Sequence, residues 1–151
     1  MTAVSAVTYA TDQLGITDQT SFLLLDLRDP DEYDNWRIKE ALLYPAVKIA
    51  QDKMTPELYR FKNKENKLII IYMGDERKGC QAANLMAEKG YENVYLLSGG
   101  IEQFNEEFNE LVEGRNVPKP KRAIMEEEQK KKMEKSQQIK MRQDQKKMTK
   151  F

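Results

Sequence analysis

The sequence contains no histidine and a single cysteine, Cys80. Without histidine there is no imidazole general base, no imidazole zinc ligand, and no Ser-His or Cys-His arrangement. One cysteine cannot close an intramolecular disulfide or supply a cysteine cluster to a metal. No metal or cofactor is therefore expected, and an intracellular setting is. No apolar run is long enough to span a membrane. Residues Met1 to Thr8 lack a positively charged opening and are too polar for a secretory signal.

What is abundant is charge. Lysine plus arginine number 25 and aspartate plus glutamate number 25, a formal net charge of zero. The zero hides a division. Residues 1–118 carry 13 basic against 20 acidic residues, a net of −7, and residues 119–151 carry 12 against 5, a net of +7. A chain of 151 residues with that division reads as one acidic domain with a basic appendage.

In chain order, Val4 to Thr8 suits a short edge strand, and Tyr9 to Leu14 a short helix ending near Gly15. Phe22 to Leu27 is a continuous apolar run broken only by Asp26, the pattern of a strand buried on both faces of a parallel sheet. Pro30 or Asp31 opens a short helix. Ala41 to Pro45 is a short strand stopped by proline. Thr55, Pro56 and Glu57 form a helix start, with Leu58, Phe61 and Tyr59 on its inner side. Leu68 to Tyr72 is a second buried strand. The helix after it shows Ala82, Leu85, Met86 and Lys89 at helical spacing and ends at Gly90. Tyr91 to Leu97 is the next strand, and Ser98-Gly99-Gly100 a tight turn. Ile101, Phe104, Phe108, Leu111 and Val112 mark one face of a helix ending at Gly114. Strand alternating with helix predicts an α/β fold with a mainly parallel sheet.

Ligands in such folds bind beyond the carboxyl ends of the strands, where a helix N-terminus offers free N–H groups. That places the candidate site at Met73, Gly74, Asp75, Glu76, Arg77 and Lys78, between the strand at 68–72 and the next helix.

Three linked blocks resemble the single-domain rhodanese family. Asp26-Leu27-Arg28-Asp29-Pro30-Asp31-Glu32-Tyr33 is similar to its D-V-R-x-x-x-E-Y signature, and Ile38, Ala41 and Pro45 fall where that signature continues. Tyr91 to Ile101 is similar to its G-F-x-N-V-x-x-L-x-G-G-I close. The likeness covers about residues 20–112 and implies a five-stranded, mainly parallel sheet flanked by helices. With the two prolines of Gly114 to Arg122 read as a break, the expected boundaries are 1–113 for the rhodanese-like domain, 114–122 for a Pro/Lys linker and 123–151 for a basic helical tail. Asp75-Glu76-Arg77, Gln81-Ala82-Ala83, Tyr44-Pro45 and Leu97-Ser98-Gly99-Gly100 are similar to the centrosomal and ciliary group of the family. That likeness implies microtubule-associated work at a cilium or basal body, linked to tubulin glutamylation.

The loop departs from the active members, which place a cysteine directly after the central strand. Here that position is Met73, and a thioether cannot act as a thiolate or carry a persulfide. Asp75 and Glu76 would repel an anionic sulfur donor, with Arg77 and Lys78 as partial offsets. The resemblance therefore implies a catalytically inactive domain. An alternative is a sulfurtransferase or phosphatase using Cys80. A Cys-x5-Arg phosphatase loop would need Arg six residues after Cys80, where Met86 stands, and Cys80 is expected to pack as a small helix residue near the sheet. Trp36 stands where the family has glycine, and is either a partner anchor or a cover for the edge of the core.

The tail from Ala123 to Met148 holds helix formers with no glycine or proline, and its sparse apolar residues keep no heptad. Alone in water it is expected to fluctuate. Arg122, Lys130, Lys131, Lys132, Lys135, Lys140, Arg142, Lys146 and Lys147 suit a protein partner with an acidic surface, for which tubulin, a microtubule or axonemal proteins are the expectation. The apolar stripe is too thin for a membrane. The alternative of an RNA- or ribosome-associated adaptor lacks stacking aromatics in the tail. The expected location is the cytoskeleton, at a ciliary axoneme or basal body.

Overall fold

The computed structural model describes residues 17–148, so the strand expected at 4–8 and the helix at 9–14 lie outside the described residues. The chain divides into two compact units, residues 1–118 and 119–151.

The first unit runs β1 (Ser21–Asp26), α1 (Pro30–Asn35), β2 (Arg37–Ile38), β3 (Leu42–Leu43), α2 (Val47–Ala50), α3 (Pro56–Phe61), β4 (Lys67–Tyr72), α4 (Glu76–Glu88), β5 (Val94–Leu96) and α5 (Gly100–Glu107). A 3-10 turn at Asn109–Leu111 and a short strand, β6 (Val112–Glu113), follow. The second unit holds one helix, α6 (Lys121–Met148).

Four parallel strands form the main sheet in the order β3-β1-β4-β5. The expected α/β fold with a parallel sheet is present, with four strands among the described residues rather than five. The two centre strands are the continuous apolar runs, because a strand inside a parallel sheet is covered on both faces. Their alternation separates two cores. Leu23, Leu25, Ile69 and Ile71 point to one side, where Ile49, Leu58, Ala82 and Met86 of the helices α2 to α4 meet them. Leu24 and Tyr72 point to the other, against Ile38, Ala41, Ile101 and Val112. Phe22, expected inside, is half exposed, and so is not part of the second cluster.

The helix starts follow local chemistry. Pro30 opens α1, and Thr55 caps α3 by accepting a 3.2 Å hydrogen bond from the Leu58 N–H, with Pro56 at the first position. Leu58 is fully buried and Phe61 partly so, but Tyr59 is 71% exposed rather than on the inner side. One turn of helix brings only the Leu58 and Phe61 side of α3 onto the sheet.

The chain end of the first unit differs from the sequence expectation. The apolar residues at 101, 104, 108, 111 and 112 do not share one helix. α5 ends at Glu107, Leu111 lies in the 3-10 turn and is nearly half exposed, and Val112 enters an antiparallel pair with Ile38. Gly114 follows with φ +147°, and a Cβ there would sit 2.3 Å from the Asn35 carbonyl oxygen, so only glycine fits this turn. Residues 114–118 then lie against the domain: Asn116 N–H donates to Asn35, Val117 packs on the second core, and Asn105 donates to the Pro118 carbonyl.

Candidate functional site

β4 ends in two fully buried residues, Ile71 and Tyr72, and the chain leaves the sheet at Met73. Met73 is half-buried with its side chain packed on the first core, so the position expected to carry a nucleophile contributes packing. Its carbonyl oxygen accepts the Ile101 N–H at 3.0 Å. Gly100, with φ +70°, lies directly under the loop: a Cβ there would be 2.6 Å from the Gly74 carbonyl oxygen and 2.7 Å from that of Met73. The Gly99-Gly100 turn therefore clamps the loop backbone from below, a role for which only glycine has the space and the left-handed freedom.

Asp75 is the N-cap of α4, and its carboxylate accepts the Lys78 N–H at 2.9 Å. The helix N-terminus offers its N–H groups and positive dipole end to an anion. Here one of those donors is taken by a side chain of the same loop. Glu76, in the first turn, adds a second exposed carboxylate, and Arg77 and Lys78 are exposed beside it. The loop thus caps one donor of its own helix start.

Cys80 is exposed, against the expectation that it packs near the sheet. The helical phase explains the difference. Gly79, Ala82 and Met86 take the inward positions of α4, and a step of about 100° per residue turns position 80 to solvent. Gly79 lets the Leu96 side chain pack close against α4, where a Cβ would lie 2.5 Å from its terminal methyl. Among the described residues no group of three or more Cys, Asp or Glu side chains is placed to hold a metal ion.

Beneath the loop lies a polar network that periodicity does not reveal. Asp26 and Arg28 are both buried, at 0% and 4% exposure. The Arg28 guanidinium donates to both oxygens of Asp26, with Nε–Oδ1 3.1 Å and Nη2–Oδ2 2.8 Å, and the Arg28 N–H donates to Oδ1 at 2.9 Å. Tyr72 OH donates to Oδ2 at 2.7 Å and accepts the Ile38 N–H at 3.3 Å. The ion pair therefore ties β1 to β4 and β2 and fixes the residue next to Met73. A signal was available in the sequence: an Asp and an Arg two apart at a strand end share one face of the sheet.

Trp36 is half-buried, packs on the second core, and accepts from Arg28 through its carbonyl oxygen. The guanidinium carbon lies 5.5 Å from its ring centroid, close enough for a cation–π contact. In this position Trp36 covers the buried ion pair. The basic residues expected to bind a partner, Arg122, Lys130, Lys131, Lys132, Lys135, Lys140, Arg142, Lys146 and Lys147, are all exposed on α6.

Two buried phenols give the domain an alkaline limit. Burial, the charge of Asp26 and the hydrogen bond to it raise the Tyr72 phenol far above its usual range. Burial first, with Tyr91 and Asp52 nearby, pushes Tyr44 up to about 12. A raised folded-state value means that the native state holds the proton more tightly than the unfolded chain, whose tyrosines titrate near about 10. Stability should therefore be complete below that pH and fall as pH rises from about 10 towards 12. Urea denaturation at pH 8 and pH 11 checks this, and Tyr44→Phe should flatten the decline.

The pattern of the rhodanese-like domain matches residues 9–107. The chain belongs to the rhodanese-like domain family. The fold agrees: the solution structure of a rhodanese-like domain from Anabaena sp. superposes with a TM-score of 0.53 at 23% identity, over 76% of this chain and 77% of that one. Among curated proteins, "Centrosomal protein of 41 kDa" of Xenopus tropicalis is 42% identical over 89 residues, 58% of this chain and 24% of the relative. The Gallus gallus protein of that name is 45% identical over 82 residues, 53% of this chain and 22% of the relative. The Homo sapiens protein is 41% identical over 92 residues, 59% and 24%. The chain thus spans about a quarter of the length of the curated relatives it matches.

The rhodanese-like signature gains a physical reading from the structure. Its Asp-x-Arg element is the buried ion pair, and its Gly-Gly close is the clamp beneath the loop. Glu40, at the place of a signature glycine, keeps a left-handed φ of +70°. The turn therefore persists although the glycine does not.

Proposed function

We propose that the chain is a non-catalytic rhodanese-like adaptor of the microtubule cytoskeleton, placed at a centrosome, basal body or ciliary axoneme. The observation that carries the non-catalytic part is the loop itself. Met73 is turned into packing, and the Asp75 carboxylate occupies a donor at the helix start. A thioether offers no lone proton to lose, and a local carboxylate opposes an incoming anionic sulfur species.

The location rests on relatives named as centrosomal proteins, whose similarity falls on the domain. The partner chemistry rests on charge. α6 is a 28-residue helix with no buried residue and a strongly basic composition, suited to an acidic surface such as that of tubulin. Sedimentation with microtubules tests the reading. The full chain should pellet, less so as salt is raised, because exposed charge pairs are screened. A chain ending at Pro118, which keeps the whole first compact unit, should stay in the supernatant. If neither pellets, or both pellet equally, the tail does not bind microtubules and the reading is wrong.

A further inference from the structure

α6 has no apolar face, yet it is not uniform. Its residues are exposed and advance by about 100° each around the axis. In that phase Lys131, Lys132, Lys135, Lys140, Arg142 and Lys147 fall on one half of the cylinder, with Glu128 as the only carboxylate there. Glu126, Glu127, Glu134 and Asp144 fall on the other half, with Lys130 as the only cation. The apolar residues do not segregate: Ile124, Met125 and Ile139 lie on the basic half, and Met133, Met141 and Met148 on the acidic half. The helix is amphipathic in charge rather than in hydropathy.

We propose that the half of α6 that carries Lys131, Lys132, Lys135 and Arg142 is a one-sided docking face for an acidic polypeptide run, with the carboxylate half turned away. This deepens, and rests on, the reading of the tail as the contact to an acidic partner. Three features select a protein partner. Membrane insertion needs an apolar half, which the spread of the methionines and isoleucines removes. A nucleic-acid groove surrounds a helix with phosphates on both sides, and the carboxylate half would face one wall of it. No aromatic residue lies between 121 and 148 to stack on bases. A flat or extended acidic segment meets only one side and has no such conflict. From Lys131 to Lys147 the face runs about 24 Å along the axis, the reach of about seven extended residues.

The test is binding of the full chain to a fluorescent deca-glutamate peptide, followed by anisotropy at two salt concentrations. Two charge-matched triple variants separate face from total charge. Lys131→Gln, Lys135→Gln and Arg142→Gln remove three charges from the basic half. Lys130→Gln, Ala123→Glu and Gln137→Glu shift the net charge equally from the opposite half. Circular dichroism reports whether either set alters the helix. The basic-half triple should weaken binding about tenfold, and the opposite-half triple should leave it within about twofold. Equal losses in both would overturn the one-sided face while leaving the acidic-partner reading intact. No binding of wild type to the peptide or to microtubules would remove that reading itself. Tighter binding of poly-uridylate at matched salt would assign the face to nucleic acid. Self-association that excess peptide does not dissolve would assign it to the acidic domain of a second copy. Either result would overturn the proposal.

Discussion

Arg28→Ala is expected to destabilise the first unit by about 3–5 kcal/mol, because it leaves a buried carboxylate without its counter-charge. Asp26 is fully buried, and Arg28 supplies its opposite charge through paired hydrogen bonds of 3.1 and 2.8 Å. With the guanidinium gone, Tyr72 OH and one backbone N–H remain as donors. Those two donors do not balance a full charge in a site closed to water. A loss of that size is a large share of the roughly 5–15 kcal/mol that holds a domain folded. Arg28→Lys should recover only part of it, since an ammonium cannot reproduce the planar fork that meets both oxygens. Trp36, the only tryptophan, lies against the guanidinium and reports the transition by fluorescence in urea. A change within about 0.5 kcal/mol for Arg28→Ala, the range of ordinary surface substitutions, would show that the pair is not buried as described.

The second large effect is expected at the clamp. Gly100→Ala puts a methyl group within 2.7 Å of two carbonyl oxygens and forces a side chain to φ +70°. Both obstacles are backbone atoms, so no side-chain rotation relieves the contact. The combined cost of the left-handed conformation and the overlap is about 2–4 kcal/mol. Gly74→Ala, in the loop above it, meets nothing within 4 Å and should stay within about 0.5 kcal/mol. The contrast between these two glycines, measured by urea titration of both variants, tests the loop geometry independently of any activity. Equal effects would show that the loop does not rest on the Gly99-Gly100 turn.

Much of this architecture is legible in the residues because local and global signals agree. The continuous runs at 22–27 and 68–72 become the two central strands, and Thr55-Pro56 marks the start of α3 as its chemistry requires. What was not legible lacks a period. β2 and β6 are two residues each, too short for alternation, and their pairing joins segments about seventy-five residues apart in sequence. Phe108, Leu111 and Val112 happened to continue a helical spacing after the helix had ended, because the pattern records burial and not the backbone that achieves it. At the site, Met73 is readable as a substitution through the resemblance, which implies a cysteine there, and chemistry then excludes a thioether as the nucleophile. The cap at Asp75 was readable only as a repulsive charge. Its actual role, satisfying a helix donor, depends on where the helix begins. The Asp26–Arg28–Tyr72 network depends on a contact forty-six residues long between Asp26 and Tyr72, which no local window contains.

The central claim is that this rhodanese-like loop does no sulfur chemistry. The most direct measurement is thiosulfate:cyanide sulfurtransferase activity of the full chain beside Cys80→Ser. No turnover above the uncatalysed rate is expected for either protein, because Met73 at the end of β4 carries no thiolate and Cys80 lies inside α4, outside the loop. Turnover by the wild type that disappears in Cys80→Ser would contradict it.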